Sequence, residues 1–214
     1  MKKMNIYLVD DHSLFREGLR FLLSNIDFVD EIYEAENGKQ FIDGLKTRKV
    51  DVALLDIEMP EMDGKEALRL ALQINPELKV IALSMYSDES YCSSMIEEGA
   101  NGFLLKNSNF SEVKKAITDV WEGRNYFSME ILQSIVNNIS KKTTSNQANT
   151  QLTEREAEVL YQICKGRSNP EIAEILSISK RTVDKHRENL LQKTNSKNTA
   201  NLVVFAIKQG YFEI

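Results

Sequence analysis

The chain of 214 residues has two cysteines, two histidines and no long apolar run. No stretch approaches the roughly 20 consecutive apolar residues that span a bilayer, so no membrane partner is expected. Cys92 and Cys164 stand alone in helical patterns, without the spacing of a metal site or a disulfide framework. Both read as free, partly buried thiols, which fits a reducing cytoplasm. With only His12 and His186, a histidine-rich metal centre is excluded. The opening Met1-Lys-Lys-Met-Asn5 runs straight into an apolar stretch and lacks a cleavable-leader pattern. A cytoplasmic location is the expectation.

The composition is that of a globular protein, 42% hydrophobic and 28% charged. Its length suits one large domain or two small ones. The overall charge of −5 conceals an asymmetry: residues 1–128 carry −8 and residues 151–214 carry +2. Such a contrast points to two modules with different partners. The basic excess in the second is too slight to predict nucleic-acid binding by itself.

Charged residues follow apolar runs at three places. Asp10 and Asp11 follow Asn5-Ile-Tyr-Leu-Val9, Asp56 closes Val52-Ala-Leu-Leu55, and Lys106 closes Phe103-Leu-Leu105. Short apolar runs alternating with helical patterns read as buried parallel strands. Strands are expected near 4–9, 30–35, 51–55, 79–84 and 102–105, with helices near 13–25, 38–48, 64–74, 88–98 and 110–122. Five βα units imply an open, doubly wound parallel sheet with right-handed crossovers. The alternating run Glu31-Ile-Tyr-Glu-Ala35 suits an edge strand.

A connecting helix from Ser128 to about Ser140 follows, and then a linker at 141–150 without apolar periodicity. From Gln151 onward the pattern is all helical. Thr153-Glu-Arg-Glu156 fits a capping box for a helix reaching Lys165, where Gly166 stops it. Asn169-Pro170 is read as cap and first residue of a second helix. Ser177-Ile-Ser179 turns into a third that reaches Lys193, and a fourth runs from Asn198 to Gln209, with Gly210 closing it. The second and third helices fit a helix-turn-helix. The expected division is 1–125, 126–150 and 151–214.

In parallel sheets ligands bind beyond the carboxyl ends of the strands. Three carboxylates gathered there repel one another and call for a hard cation; Mg²⁺ takes one or two carboxylates, with its remaining oxygens from water and phosphate. Asp56 is the candidate nucleophile, since a carboxylate can attack phosphorus and become an aspartyl phosphate. Lys106 would pair with a phosphoryl oxygen, and Ser84, ending the fourth strand, could offer its hydroxyl to another. A Mg²⁺-dependent phosphatase would use the same nucleophile with Glu58 as general acid. It would need a substrate-capping insertion, which is missing, and would have no use for the C-terminal helices.

Val9-Asp-Asp-His12, Leu55-Asp-Ile-Glu-Met-Pro-Glu-Met-Asp-Gly64, Leu83-Ser-Met85 and Phe103-Leu-Leu-Lys106 resemble the receiver domain of bacterial two-component response regulators, a flavodoxin-like fold. The resemblance implies a phosphoacceptor at Asp56, served by a sensor histidine kinase. It implies Mg²⁺ held by Asp11, Asp56 and the backbone carbonyl of Glu58, with Asp10 acting through water. Ser84 and Phe103 match the switch hydroxyl and switch aromatic. Phosphorylation would draw Ser84 inward and let Phe103 pack into the vacated space. Asn107 stands where many receivers have proline after a cis bond; a cis bond without proline costs about 2.5–4 kcal/mol, which disfavours it here. His12 reads as a polar residue opening the first helix, without a catalytic role.

Leu152-Thr-Glu-Arg-Glu-Ala-Glu-Val-Leu160, Ser168-Asn-Pro-Glu-Ile-Ala173 and Ser179-Lys-Arg-Thr-Val-Asp-Lys-His-Arg187 resemble the LuxR-type helix-turn-helix. Together the two modules are similar to the NarL/FixJ class of response regulators. The implied function is a phosphorylation-controlled transcription regulator rather than an enzyme. It would bind double-stranded promoter DNA as a homodimer when phosphorylated. The third helix enters the major groove in this fold. Lys180, Arg181, Thr182, Lys185, His186, Arg187, Glu188 and Asn189 form its candidate DNA-binding set. Arg181 and Thr182 suit phosphate contacts, and Lys185 with Glu188 or Asn189 suits base edges. Val183, Leu190 and Leu191 would face the core, and the fourth helix would pack on the domain and share a dimer seam. Asp184 and Thr194 depart from the family pattern of lysine and leucine. An acidic residue there lowers affinity for DNA and gives dimerisation more weight.

Overall fold

A computed structural model of the chain describes residues 3–85, 89–127 and 152–212. The expected connecting helix and linker, near 128–150, lie outside the described residues. The chain divides into two compact units, Met1–Trp121 and Glu122–Ile214. Residues 122–125, read from the sequence as the end of the first domain, group with the second unit.

The first unit alternates β1 (Met4–Val9), α1 (Ser13–Leu23), β2 (Val29–Ala35), α2 (Gly38–Leu45), β3 (Val52–Asp56), α3 (Gly64–Ile74), β4 (Lys79–Ser84), α4 (Glu89–Glu98), β5 (Gly102–Leu105) and α5 (Phe110–Trp121). All strand pairs are parallel, in the order β2-β1-β3-β4-β5. Burial follows position in the sheet. β3, in the middle, is buried at every residue, whereas β2, at one edge, is buried only at Ala35. That difference explains why Val52-Ala-Leu-Leu55 is continuously apolar and β2 alternates. The order reverses between β1 and β3, the topological switch point where doubly wound sheets open a crevice beyond the strands' carboxyl ends. β1 runs into Asp10 there, and β3 ends on Asp56.

Local chemistry starts the helices where the sheet needs them. The Asn37 side chain accepts from the Gln40 N–H to open α2, and Asp63 accepts from the Glu66 N–H to open α3. Gly64 is required for another reason. A Cβ there would collide with the Asp56 carbonyl oxygen and lie 2.8 Å from the Ile57 Cα. The Gly64 N–H donates to the Ile57 carbonyl at 2.8 Å. Only a residue without a side chain lets α3 begin so close to the end of β3.

In the second unit, α6 (Glu154–Cys164), α7 (Asn169–Ile175), α8 (Lys180–Lys193) and α9 (Thr199–Lys208) surround one core. Val159, Leu160, Ile172, Val183, Leu190, Leu202 and Ala206 are its fully buried members. Thr153 and Glu156 form the capping box of α6. Gly166, with φ of 74°, ends that helix, and the Arg167 N–H returns to the Gln162 carbonyl. One start differs from expectation. Ser168, not Asn169, caps α7 and forms a capping box with Glu171, leaving the Asn169 side chain for tertiary bonds. Ser179 and Asn198 cap α8 and α9. Leu202, Val203 and Ala206 of α9 enter the core, with Phe205 and Ile207 packed at its border. Among the described residues no helix is long and apolar enough to cross a membrane.

Candidate functional site

The carboxyl end of the sheet gathers the residues singled out above. The Asp10 N–H donates to the Ala35 carbonyl at 3.1 Å, extending β1 by one bond. The Ile57 N–H donates to Leu83 at 3.1 Å and the Lys106 N–H to Ser84 at 2.7 Å. The backbone therefore sets where Asp10, Asp56 and Lys106 stand before their side chains interact. The side-chain contacts then converge. Lys106 Nζ lies 2.7 Å from Asp56 Oδ2 and 2.8 Å from Asp10 Oδ2, with both carboxylates only 2–3% exposed. Its ammonium also sits 5.3 Å from the centre of the Phe15 ring, a cation–π contact. Asp11 is more open and lines a pocket of about 510 Å³ with Glu58, Met59, Pro60 and Asp63.

Charge does not balance here. Three carboxylates stand beside one lysine, and taking a carboxylate out of water disfavours its ionised form. Burial first, then repulsion from Asp10, pushes the Asp56 carboxyl up to about 6, against the opposing pull of Lys106 and the Glu58 N–H. For Lys106, burial works against the charge, but hydrogen bonds to Asp10 and Asp56 outweigh it and hold the ammonium above its ordinary value. Asp10 Oδ2 is out of contact with solvent and has the Lys106 ammonium, 2.8 Å away, as its ion-pair partner. One ligand atom each from Asp10, Asp11, His12 and Asp56 lies within 4.8 Å of all the others. Three carboxylates beside one ammonium leave excess negative charge amid hard oxygen donors, an arrangement that a divalent cation completes.

Two supporting residues escaped the sequence reading. Arg16 of α1 donates to the Asp10 carbonyl oxygen at 2.6 Å and pairs with Glu34 and Glu36, clamping the end of β1. Its helical spacing from Leu19 and Leu23, which puts it on the apolar face of α1, was the available signal. His12, expected only to open α1, turns its ring into the cluster, with Nδ1 3.0 Å from Asp11 Oδ1. Ser84 is buried at the end of β4, one residue beyond Leu83, the partner of Asp56 in the ladder. Phe103 is buried in β5 opposite Ala82. The Lys106–Asn107 peptide is trans.

The DNA-binding set divides by exposure. Lys180, Arg181, Thr182, Lys185 and Glu188 are exposed on α8, and His186 and Asn189 are half-buried. Lys185 and Glu188 pair at 2.7 Å. Arg187 departs from the rest. It is buried, and its guanidinium donates to Asn169 Oδ1 at 2.9 Å, the Gly123 carbonyl at 2.7 Å and Thr199 Oγ1 at 2.5 Å. Helical spacing places residue 187 four after Val183, on the core-facing side, so in this structure its charge is spent inside the protein. Asp184 is accounted for by the same knot, since it accepts from Asn169 Nδ2 at 2.6 Å. Thr194 caps the end of α8, its hydroxyl bonded to the Leu190 carbonyl at 2.7 Å.

A buried acidic cluster at a sheet's switch point and a helix-turn-helix in the same chain are matched by two family models. The response regulator receiver domain covers residues 6–118, and the luxR family of bacterial regulatory proteins covers residues 150–206. The chain is a response regulator of the NarL/FixJ class. It is 32% identical to the transcriptional regulatory protein DegU of Brevibacillus brevis, covering 99% of this chain and 96% of that protein. It is 31% identical to the oxygen regulatory protein NreC of Staphylococcus epidermidis, covering 98% and 100%. Among solved structures, ChrA from a heme-sensing two-component system is 30% identical over 99% of this chain and all of that one, with a TM-score of 0.52. The receiver domain of a putative NarL from Mycobacterium tuberculosis is 35% identical over 58% of this chain and all of its own, with a TM-score of 0.55. Response regulators of this class are phosphorylation-regulated transcription regulators, with a histidine kinase and DNA as partners, and are not enzymes. The acidic pocket is of the kind in which receiver domains bind Mg²⁺.

Proposed function

We propose that Asp56 is the phosphoacceptor through which a sensor histidine kinase controls DNA binding by this cytoplasmic regulator. The observation that carries the reading is the contact of Asp56 Oδ2 with Lys106 Nζ at 2.7 Å, in a buried cluster with excess negative charge. A carboxylate oxygen of Asp56 attacks the phosphorus of the kinase's phosphohistidine. The P–N bond breaks, its electron pair returns to the imidazole, which takes up a proton, and an acyl phosphate forms on Asp56. Lys106 moves from carboxylate to phosphoryl oxygen, carrying its charge with it. Asp11, Asp56 and the Glu58 carbonyl would hold Mg²⁺, with Asp10 acting through water. Bound there, the ion neutralises phosphoryl oxygens during transfer.

The new dianion attracts the Ser84 hydroxyl as a hydrogen-bond donor. Phe103, already buried, then changes its packing rather than its exposure, and the face around α4 and β5 is reset. The altered receiver favours a homodimer on paired half-sites of promoter DNA. Lys180, Arg181 and Thr182 anchor the phosphates, while Lys185, His186, Glu188 and Asn189 lie where base edges are read. Arg187 is left out of that set because its guanidinium is already hydrogen-bonded inside the unit.

Acetyl phosphate labelling followed on a phosphate-affinity gel tests the acceptor. Asp56→Asn is expected to lower labelling by at least about 100-fold. Undiminished labelling in that variant would overturn the assignment. Beryllofluoride, a mimic of the phosphoryl group, is expected to raise DNA affinity and dimer content in the parent chain and in neither respect in Asp56→Asn. Equal affinity and equal oligomeric state with and without it would sink the switch.

A further inference from the structure

Arg16 is a buried cation whose shortest bond goes to a backbone oxygen of the acidic edge. β1 pairs with its neighbours as far as Val9, and one further bond, from the Asp10 N–H to Ala35, ends the ladder. The Asp10 carbonyl lies past that end, and Arg16 Nη1 donates to it at 2.6 Å. The same guanidinium turns Nε toward Glu34 Oε2 at 3.3 Å and Nη2 toward Glu36 Oε1 at 3.2 Å. Its side chain is 9% exposed, so it is held from three directions with little room for another geometry. The side chain of Asp10 is fixed as well. Oδ1 accepts from the His12 N–H at 2.9 Å, and Oδ2 faces Lys106.

A peptide unit is rigid and planar, so a hold on the Asp10 carbonyl oxygen is also a hold on the Asp11 nitrogen. Rotation of that plane would swing Asp11, whose side chain is 33% exposed and depends on its backbone for its aim. Mg²⁺ demands near-ideal octahedral placement of its oxygens. Groups behind the ligands that fix their orientation are typically worth about 10–100-fold in metal affinity. We propose that Arg16 is a positioning residue for the cation site: by fixing the Asp10–Asp11 peptide it aims the Asp11 carboxylate and sets the affinity for Mg²⁺. The proposal rests on the reading of Asp11 and Asp56 as Mg²⁺ ligands. Arg16 acts through the backbone and takes no part in the transfer of the phosphoryl group. A lysine would keep the charge, but its donors sit on one nitrogen and cannot span three diverging acceptors. Glu34 and Glu36, at the end of the edge strand β2, bear on the cation site through the guanidinium they hold.

Calorimetric titration of the full chain with Mg²⁺ tests this, using the parent, Arg16→Lys, Glu36→Gln and Asp11→Asn. Arg16→Lys is expected to weaken Mg²⁺ binding by about 10-fold or more, and Glu36→Gln by about 2–5-fold. Labelling by acetyl phosphate, followed against Mg²⁺ concentration, supplies a readout that loss of stability would not move. The half-saturating Mg²⁺ concentration of Arg16→Lys should rise by about the same factor as in calorimetry, while its rate at saturating Mg²⁺ stays within about 3-fold of the parent. Parent-like Mg²⁺ affinity in a folded Arg16→Lys, with only its denaturant midpoint lowered, overturns the proposal and leaves Arg16 as a tie between α1 and β2. A rate deficit that excess Mg²⁺ does not repair also overturns it. Should Arg16→Lys fail to fold by far-UV circular dichroism, Glu36→Gln decides, since its side chain is 64% exposed and the buried guanidinium stays in place; unchanged affinity there overturns the proposal. Mg²⁺ binding absent from the parent, or indifferent to Asp11→Asn, overturns the cation site itself and the proposal with it.

Discussion

The two units each bury charge, and they do so in opposite ways. In the first, Asp10 and Asp56 share one lysine, and with Asp11 beside them the cluster keeps excess negative charge. In the second, Arg187 is buried with no carboxylate directly on it, but with three neutral acceptors around its guanidinium. Burial pushes that guanidinium down to about 10, with Asp184 pulling the other way, so it keeps its proton at neutral pH. A buried charge held by three hydrogen bonds to neutral acceptors ties a structure together. A buried cluster with negative charge left over has free energy to release when a cation arrives.

The largest effect that would break this contrast is on stability. Arg187→Met should destabilise the second unit by about 2–4 kcal/mol, because Gly123, Asn169 and Thr199 lose a shared donor. Denaturant melts of the full chain measure it. If melting is unchanged while DNA affinity and its salt dependence fall, Arg187 serves DNA after all, and the contrast fails.

A smaller effect concerns pH. The Asp56 carboxyl is held above its ordinary range, at about 6. The folded protein therefore keeps this proton to a higher pH than the unfolded chain does. Stability from this group is present below about pH 4 and is lost as pH rises through about 6, amounting to roughly 1–3 kcal/mol. Asp56→Asn should lack that decline, so the stability difference between parent and variant, measured without divalent cations from pH 4 to 7, should grow in favour of the variant. A constant difference would show that the cluster stores no charge strain.

The smallest effect sharpens the other side of the comparison. Lys180→Ala or Arg181→Ala, removing exposed cations of α8, should alter stability by less than about 0.5 kcal/mol. Each should weaken DNA binding at all sequences and reduce the magnitude of the salt slope by about one. Filter binding over a range of salt concentrations reads both. An unchanged slope would remove that residue from the phosphate-contacting set.

Much of the architecture was legible because it is written in local signals. The continuous apolar run of β3, the alternation of β2 and the capping box at Thr153 each report on their own segment. Asp10, Asp56 and Lys106 were legible as a site because strand ends in a parallel sheet share an edge. The start of α7 was misread by one position, since serine and asparagine both cap well and only tertiary demand on Asn169 separates them. Arg187 was grouped with the exposed set because Lys185 and His186 precede it in a polar run, and only the packed structure shows it buried. His12 was passed over because neighbours along the chain do not reveal which way a ring turns.

By itself, then, the sequence determined the order of elements, the two-module plan and the residues of the acidic edge. Those depend on periodicity and spacing, which the chain carries wherever it folds. Only the tertiary structure decided which charges are satisfied. The lysine shared by Asp10 and Asp56, and the three hydrogen bonds of Arg187, arise from partners 12 to 96 positions away. Burial and hydrogen-bond completion are properties of the packed molecule, and they separate a charge that acts from a charge that holds.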